Sequence, residues 1–233
     1  TLKNREVTGA LLSDNQELDL GMKFRLWSDD NGYKINLNGD VKNVDLKGLH
    51  FIQRDMAFSL GLNVDAELKT DSTSSLRADF SNIVLRDIVT RKLGDLGVTF
   101  SGLCDKTLLN VKAGDLLLKF EGDGGSNTLI DRFSAAGDLL VDQVEKHDFN
   151  MEKLNELLPD FRLTVGASRE NLLNGYLKNS GICFERMTID IGTDVSHDFG
   201  LTSKVYGLNI DGIVLDSLFV YTKQKNVALH YGV

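Results

Sequence analysis

Between Met56 and Leu68 every second residue is apolar: Met56, Phe58, Leu60, Leu62, Val64, Ala66 and Leu68 alternate with Ala57, Ser59, Gly61, Asn63, Asp65 and Glu67. A period of two places one set on each face of a β-strand, one greasy and one wet. At about 3.3 Å per residue this strand spans roughly 40 Å, twice the usual length. Leu18, Leu20, Met22, Phe24 and Leu26 repeat the pattern around Asp19, Gly21, Lys23 and Arg25. The sequence therefore predicts a wide apolar wall, which is either one side of a closed sandwich core or the lining of an apolar groove. Both produce identical alternation.

The rest of the first half reads as strands and turns. Residues 18–26 and 33–41 flank Ser28-Asp29-Asp30-Asn31-Gly32, whose Asn-Gly pair is a strong hairpin signal. Further strands are expected over 56–68, from Leu76 to Val89, at Leu96-Val98-Phe100, and from Leu109 through Ala113 to Phe120. Past Glu121 the period changes from two to about 3.6. Leu129, Ile130, Phe133, Ala136, Leu140, Val141 and Val144 form one face of a helix, with Ser126 or Asn127 as its cap. A short helix follows from Met151 to Leu158, capped by Asn150 and stopped just before or at Pro159, and a third over 169–179 ends at Gly181. Phe161, Leu163 and Val165 make one brief strand between them, and alternation returns from Ile182 through 201–221 to Val227, Leu229 and Tyr231. The expected organisation is a β segment over 1–126, a helical insertion with one short strand over 127–180, and a β segment over 181–233, forming one continuous unit of a larger protein. The insertion is too small to fold alone, so Leu129, Phe133, Leu140, Val144, Leu154 and Leu158 are expected to pack on the sheet.

A faint repeat runs through the strands. Val41-Lys-Asn-Val-Asp-Leu-Lys-Gly-Leu49, Phe80-Ser-Asn-Ile-Val-Leu-Arg-Asp-Ile88 and Val205-Tyr-Gly-Leu-Asn-Ile-Asp-Gly-Ile213 are apolar at positions 1, 4, 6 and 9, with Asn or Gly at position 3. Steps of three inside a period of two predict a bulge or corner in each copy. Stacked copies would build an elongated, repetitive antiparallel sheet.

This template, the segment Phe149-Asn-Met-Glu-Lys-Leu-Asn-Glu-Leu-Leu-Pro-Asp-Phe161 and the return Leu177-Lys-Asn-Ser-Gly-Ile-Cys-Phe184 resemble the TamB/AsmA-like family of translocation and assembly module proteins, the large periplasmic versions of Bacteroidetes in particular. The resemblance covers most of the chain through apolar patterns, without an invariant chemical group. It implies a mainly β fold, an elongated sheet curled into a trough or β-taco. It also implies a non-catalytic role, carrying phospholipid between inner and outer membrane or supporting outer-membrane protein assembly. Leu18, Leu20, Met22, Phe24, Leu26, Met56, Phe58, Leu60, Leu62, Val64 and Leu68 would then line a groove for acyl chains. The implied partners are phospholipid acyl chains, an outer-membrane barrel protein and adjacent segments of the same chain. The implied location is the periplasm, with the full-length protein anchored in the inner membrane.

Composition narrows the alternatives. A net charge of −8 repels phosphate backbones, so nucleic acid is a poor partner. No run of about 18 apolar residues predicts a membrane-spanning helix. The opening Thr1-Leu2-Lys3-Asn4-Arg5 has neither initiator Met nor signal-peptide character, as expected of an excised or processed segment. A single tryptophan and mid-chain helices argue against an outer-membrane barrel fragment. The runner-up is a closed, non-catalytic β-sandwich with a structural or adhesive role.

Candidate chemistry is sparse. His50, His147, His197 and His230 have no metal-ligand spacing, so no metal and no cofactor are expected. Cys104 and Cys183 lie in apolar contexts and read as buried, unbridged thiols. Glu121-Gly-Asp-Gly-Gly-Ser-Asn127 lacks the lysine of a phosphate loop, and Asp29-Asp30-Asn31-Gly32 lacks the remaining ligands of a calcium loop. Gly166-Ala-Ser-Arg-Glu170, read as lying within helix, lacks the second glycine of a nucleophile elbow.

Overall fold

The computed structural model describes residues 5–233 apart from 71–72, 149, 194–197 and 226–227. Phe149, His197 and Val227, named above, lie outside the described residues, as do the first four. The chain is mainly β, its strands paired antiparallel, and it divides into two compact units: Thr1–Ser101 with Val111–Gly114, and Gly102–Asn110 with Asp115–Val233.

The first unit is a meander of long strands. Arg5–Asp14 (β1), Leu18–Asp29 (β2), Gly32–Asp45 (β3), Ala57–Lys69 (β4) and Ser74–Arg86 (β5) pair in chain order; Thr90–Lys92 (β6) pairs with β5, and Leu96–Gly102 (β7) lies beside β5. The β2–β3 hairpin turns where expected, through Asp30 and Asn31, with Asp29 opposite Gly32 and the Asp29 carboxylate accepting from the Asn31 N–H at 2.8 Å. β1 is an element the alternation did not reveal, because Leu11 and Leu12 are adjacent and Thr8-Gly9-Ala10 carries no apolar signal.

Two copies of the repeat place a bulge as expected. Leu18 pairs with Val44 and Leu20 with Val41, so β3 carries one extra residue there. Ser59 pairs with Val84 and Gly61 with Ser81, so β5 does the same. A bulge shifts parity by one, which is why residues three apart stay on one face. In two of the three copies position 3 has a conformational role: Asn82 adopts φ +52° and Gly207 φ +57°, in the left-handed region that Asn and Gly tolerate best, whereas Asn43 of the first copy is not at positive φ. The third copy departs from expectation. Tyr206 pairs with Ser217 and Leu208 with Leu215, so the register runs through Gly207 without a shift.

Lys106–Ala113 (β8) is divided between the units. The second unit orders Leu116–Asp123 (β9), Phe161–Ala167 (β10), Arg186–Thr193 (β12), Phe199–Ile210 (β13), Ile213–Lys225 (β14) and Ala228–Gly232 (β15), with Ile182–Cys183 (β11) pairing with β13. The run 201–221 is thus two strands, separated by Asp211 and Gly212 at positive φ.

Helices α1 (Ser126–Lys146) and α2 (Met151–Leu157) connect the neighbouring strands β9 and β10, and α3 (Leu172–Leu177) follows β10. Asn150 caps α2 as expected, accepting from the Lys153 N–H at 3.0 Å, and Gly181 terminates the turn after α3 at φ +72°. The cap of α1 is Gly125, with no side-chain bond, in place of the expected Ser126 or Asn127.

The N-terminal half of α1 packs on the sheet. Leu129 is 3% exposed and sits over Gly122, where a Cβ would come within 2.8 Å of it. Phe133 meets Phe161 edge-on at 5.0 Å and Phe120 at 6.0 Å. The expected packing fails further along: Leu140 is 39% and Val144 55% exposed. Ala136 instead joins Met151 and Leu154 of α2, and Gln143, itself buried, exchanges two 3.1 Å bonds with the Asn150 backbone. Arg132 completes the pair by donating to the C=O groups of Glu156, Leu157 and Leu158.

Two smaller expectations are corrected. Cys104 is exposed, in the turn after β7; Cys183 is half-buried, and neither is bridged. Gly166 and Ala167 end a strand and do not lie within helix.

Candidate functional site

Partners opposite one another in an antiparallel ladder project to the same side. The register of the first unit therefore sorts its residues into two faces. One row reads Leu11, Met22, Gly39, Leu62, Phe80; the next reads Gly9, Phe24, Leu37, Val64, Ala78; a third reads Val7, Leu26, Ile35, Ala66, Leu76. Leu20, Val41 and Leu60 form another row, and Leu18, Val44, Phe58 and Leu85 lie beyond the bulges. Leu68 ends the face beside Tyr33, and Met56 immediately precedes β4, its C=O accepting from the Leu46 N–H at 2.9 Å.

No element of its own unit covers this apolar face. Among the described residues of the unit there is no helix and no second sheet, and the pairing runs only between strands of one layer. Exposure is greatest at one end, where Leu26 is 39%, Ile35 43% and Leu68 54% exposed; Leu20, Met22, Phe24, Phe58, Leu60 and Leu62 are half-buried, and Val41 and Ala78 are buried. Five strands at about 4.8 Å spacing and roughly 40 Å length give a footprint beyond the few hundred Å² of apolar patch usual on a soluble monomer.

The reverse face is ionic. Lys34 lies 3.3 Å from Glu67, the Asn36 amide donates to Asp65 at 2.7 Å, and Arg25 pairs with Glu6 at 2.9 Å while stacking over Trp27 at 4.9 Å. Arg77 donates to Asp79 at 2.8 Å, a bond and a charge that hold its guanidinium above the ordinary value. A hollow of about 270 Å³ lies on this side, between Trp27, Lys34, Glu67 and Arg77. None of the eleven candidate groove residues lines it.

The second unit carries a larger hollow, about 1300 Å³, across β9, β10, β12, β13 and β14. Its floor comes from the alternate positions that sequence reading assigns to water. Gly166 faces Thr188, Thr164 faces Asp190, and Gly192 faces Gly200. Small side chains leave the space open: a Cβ built on Gly166 meets nothing within 4 Å. Lys119, Arg162, Lys204 and Lys223 rise around it, with Phe219 and Tyr221 along β14. Arg162 donates to Asp190 at 2.6 Å, and this bond raises its basicity; Lys204 lies 5.3 Å over the Phe219 ring. Alternation hides such a site, because only pairing brings these glycines and threonines together.

No helix is long and apolar enough to cross a membrane among the described residues, which says nothing of a β-barrel. The fold and its faces define a mainly β, antiparallel protein in which the long strands β2–β5 are apolar on one side and polar on the other. Comparisons with protein-family models, curated proteins and solved structures find no match.

Proposed function

We propose that the apolar face of β1–β5 holds phospholipid acyl chains, as a segment of a periplasmic TamB/AsmA-like protein that carries lipid between the two membranes or supports outer-membrane assembly. The observation that carries the reading is an apolar face that no element of its own unit covers, with an ion-paired reverse side that suits water. Each acyl methylene taken from water onto such a wall gains about 0.8 kcal/mol, which needs shape and apolarity but no catalytic group. Leu18, Leu20, Met22, Phe24, Leu26, Met56, Phe58, Leu60, Leu62, Val64 and Leu68 act as the wall. Adjacent segments of the full-length chain close it, an outer-membrane barrel receives the product, and an inner-membrane anchor holds the other end. A closed sandwich would need a second layer over Leu26, Ile35 and Leu68, and that need weighs against the structural or adhesive alternative.

Photo-crosslinking in cells tests this. A photoreactive residue at Phe58 or Leu62 of the full-length protein should give lipid adducts, and one at Ser59 or Asn63 should give few. Equal labelling from both faces, or none from either, would reject the proposal.

A further inference from the structure

We infer that the hollow of the second unit is a binding site for an acidic saccharide chain. It rests on observations separate from those of the apolar face. The register builds a trough with a small-residue floor: Gly166, Gly192 and Gly200, with Thr164, Thr188 and Thr202, occupy the positions between the charged and aromatic rim. At about 1300 Å³ it exceeds the 300–1000 Å³ of a pocket for a compact small molecule and suits an extended ligand.

Charge selects the sign of that ligand. Four cations line the trough against two carboxylates, Asp190 and Asp198, in a chain whose net charge is −8. Arg162 is taken by Asp190, while Lys119, Lys204 and Lys223 have no carboxylate within 4.0 Å among the described residues. Exposed ammonium groups around a recessed floor attract carboxylate, sulfate or phosphate groups spaced along a chain.

The remaining lining selects a sugar over a bare polyanion. Phe219 and Tyr221, ring centroids 5.9 Å apart, give β14 an aromatic edge suited to the apolar faces of pyranose rings. Threonine hydroxyls both donate and accept, matching sugar hydroxyls. The hydroxyl-rich, open floor admits a ring lying flat, and a Cβ at Gly200 would come no nearer than 3.9 Å to Thr222 O, so the space there is real.

The test measures equilibrium binding of the whole chain to oligogalacturonate, to neutral maltohexaose and to inorganic polyphosphate at low ionic strength. Oligogalacturonate should bind at least tenfold more tightly than the other two. Gly166→Trp should fill the trough and weaken it at least tenfold. The triple variant Lys119→Ser, Lys204→Ser, Lys223→Ser changes only exposed side chains and should weaken it similarly, with an unchanged circular dichroism spectrum, so the proposal stays testable if the tryptophan variant misfolds. No binding of oligogalacturonate, binding indifferent to the lysine variant, or polyphosphate binding as tightly would each overturn the assignment.

Discussion

The two units solve the same problem, a strand with one greasy face, in opposite ways. In the second unit α1 is laid over β9 and β10, so Leu129 falls to 3% exposure and Phe120, Phe133 and Phe161 close on one another. Among the described residues of the first unit no element is spent on cover, and Leu26, Ile35 and Leu68 stay at 39–54% exposure. Identical alternation is thus roofed by a helix at β9 and β10 and by no element of its own unit at β1–β5, while the strand residues themselves, Leu118, Phe120 and Leu163 or Leu60, Leu62 and Val64, are half-buried in both. What separates them is the connection: β2, β3, β4 and β5 are joined by short turns and one loop, whereas β9 and β10 are joined by 37 residues that include two helices. An apolar face is open to a ligand only where nothing hides it.

The most disruptive way to break this contrast is to place a charge on each face. Leu129→Asp puts a carboxylate at a 3%-exposed position over Gly122 and should cost on the order of 4 kcal/mol. Leu60→Asp puts the same group on a wall that water reaches, and should cost about 1 kcal/mol. Chemical denaturation of both variants, with hydrogen exchange to locate the loss, distinguishes them. Equal losses would mean that the first unit's face is core after all.

Much of this contrast was legible and part was not. The strands of 18–29, 32–45 and 57–69 could be read because their wet positions carry Lys, Arg, Asn, Asp and Glu, which leaves a period of two unmistakable. The bulges could be read from apolar steps of three at Val41–Val44 and Phe80–Ile83. The failure at Leu140 and Val144 has a local cause: the line of α1 that is buried runs through Ala136 and Gln143, a small and a polar residue that apolar counting passes over. The trough of the second unit was invisible because Gly166, Thr188 and Lys204 become neighbours only through pairing of strands far apart in sequence. The face was legible where chemistry repeats along one strand, and hidden where it is assembled across several.

A gentler change sharpens the account of how the first unit keeps its wall apolar through a bulge. Asn82 holds φ +52°, and its N–H donates to Asp95 at 3.1 Å. Asn82→Val retains that N–H but forces a β-branched residue into the left-handed region, which should cost about 1–2 kcal/mol. Asn82→Gly should stay within about 0.5 kcal/mol of the parent, since glycine adopts that conformation freely. The check is the denaturation midpoint of each. A harmless valine would show that the bulge is held by strand pairing alone and that the Asn-or-Gly position of the repeat has no conformational role.

The smallest effect belongs to a latch in the second unit and is read through pH. Asp115 precedes β9, and its carboxylate accepts from the Ser168 N–H at 3.0 Å, the Glu170 N–H at 2.8 Å and the Asn171 amide at 2.7 Å, tying the loop after β10 to the start of β9. Partial desolvation pushes its pKa up, but the bonds from Asn171, Glu170 and Ser168 together outweigh that and hold it below the ordinary carboxylate value. A carboxyl group with a depressed folded-state pKa stabilises the fold above its unfolded value of about 3.9, and loses that contribution as pH falls through the lower, folded value. Asp115→Asn keeps the shape but removes the charge and one acceptor. At neutral pH its melting temperature should lie slightly below the parent's. The gap should narrow as the pH drops below about 4 and close once Asp115 is protonated. A gap that persists unchanged into strong acid would show that the loop is held by shape and by the Asn171 and Asn174 side chains, with no part played by the Asp115 charge.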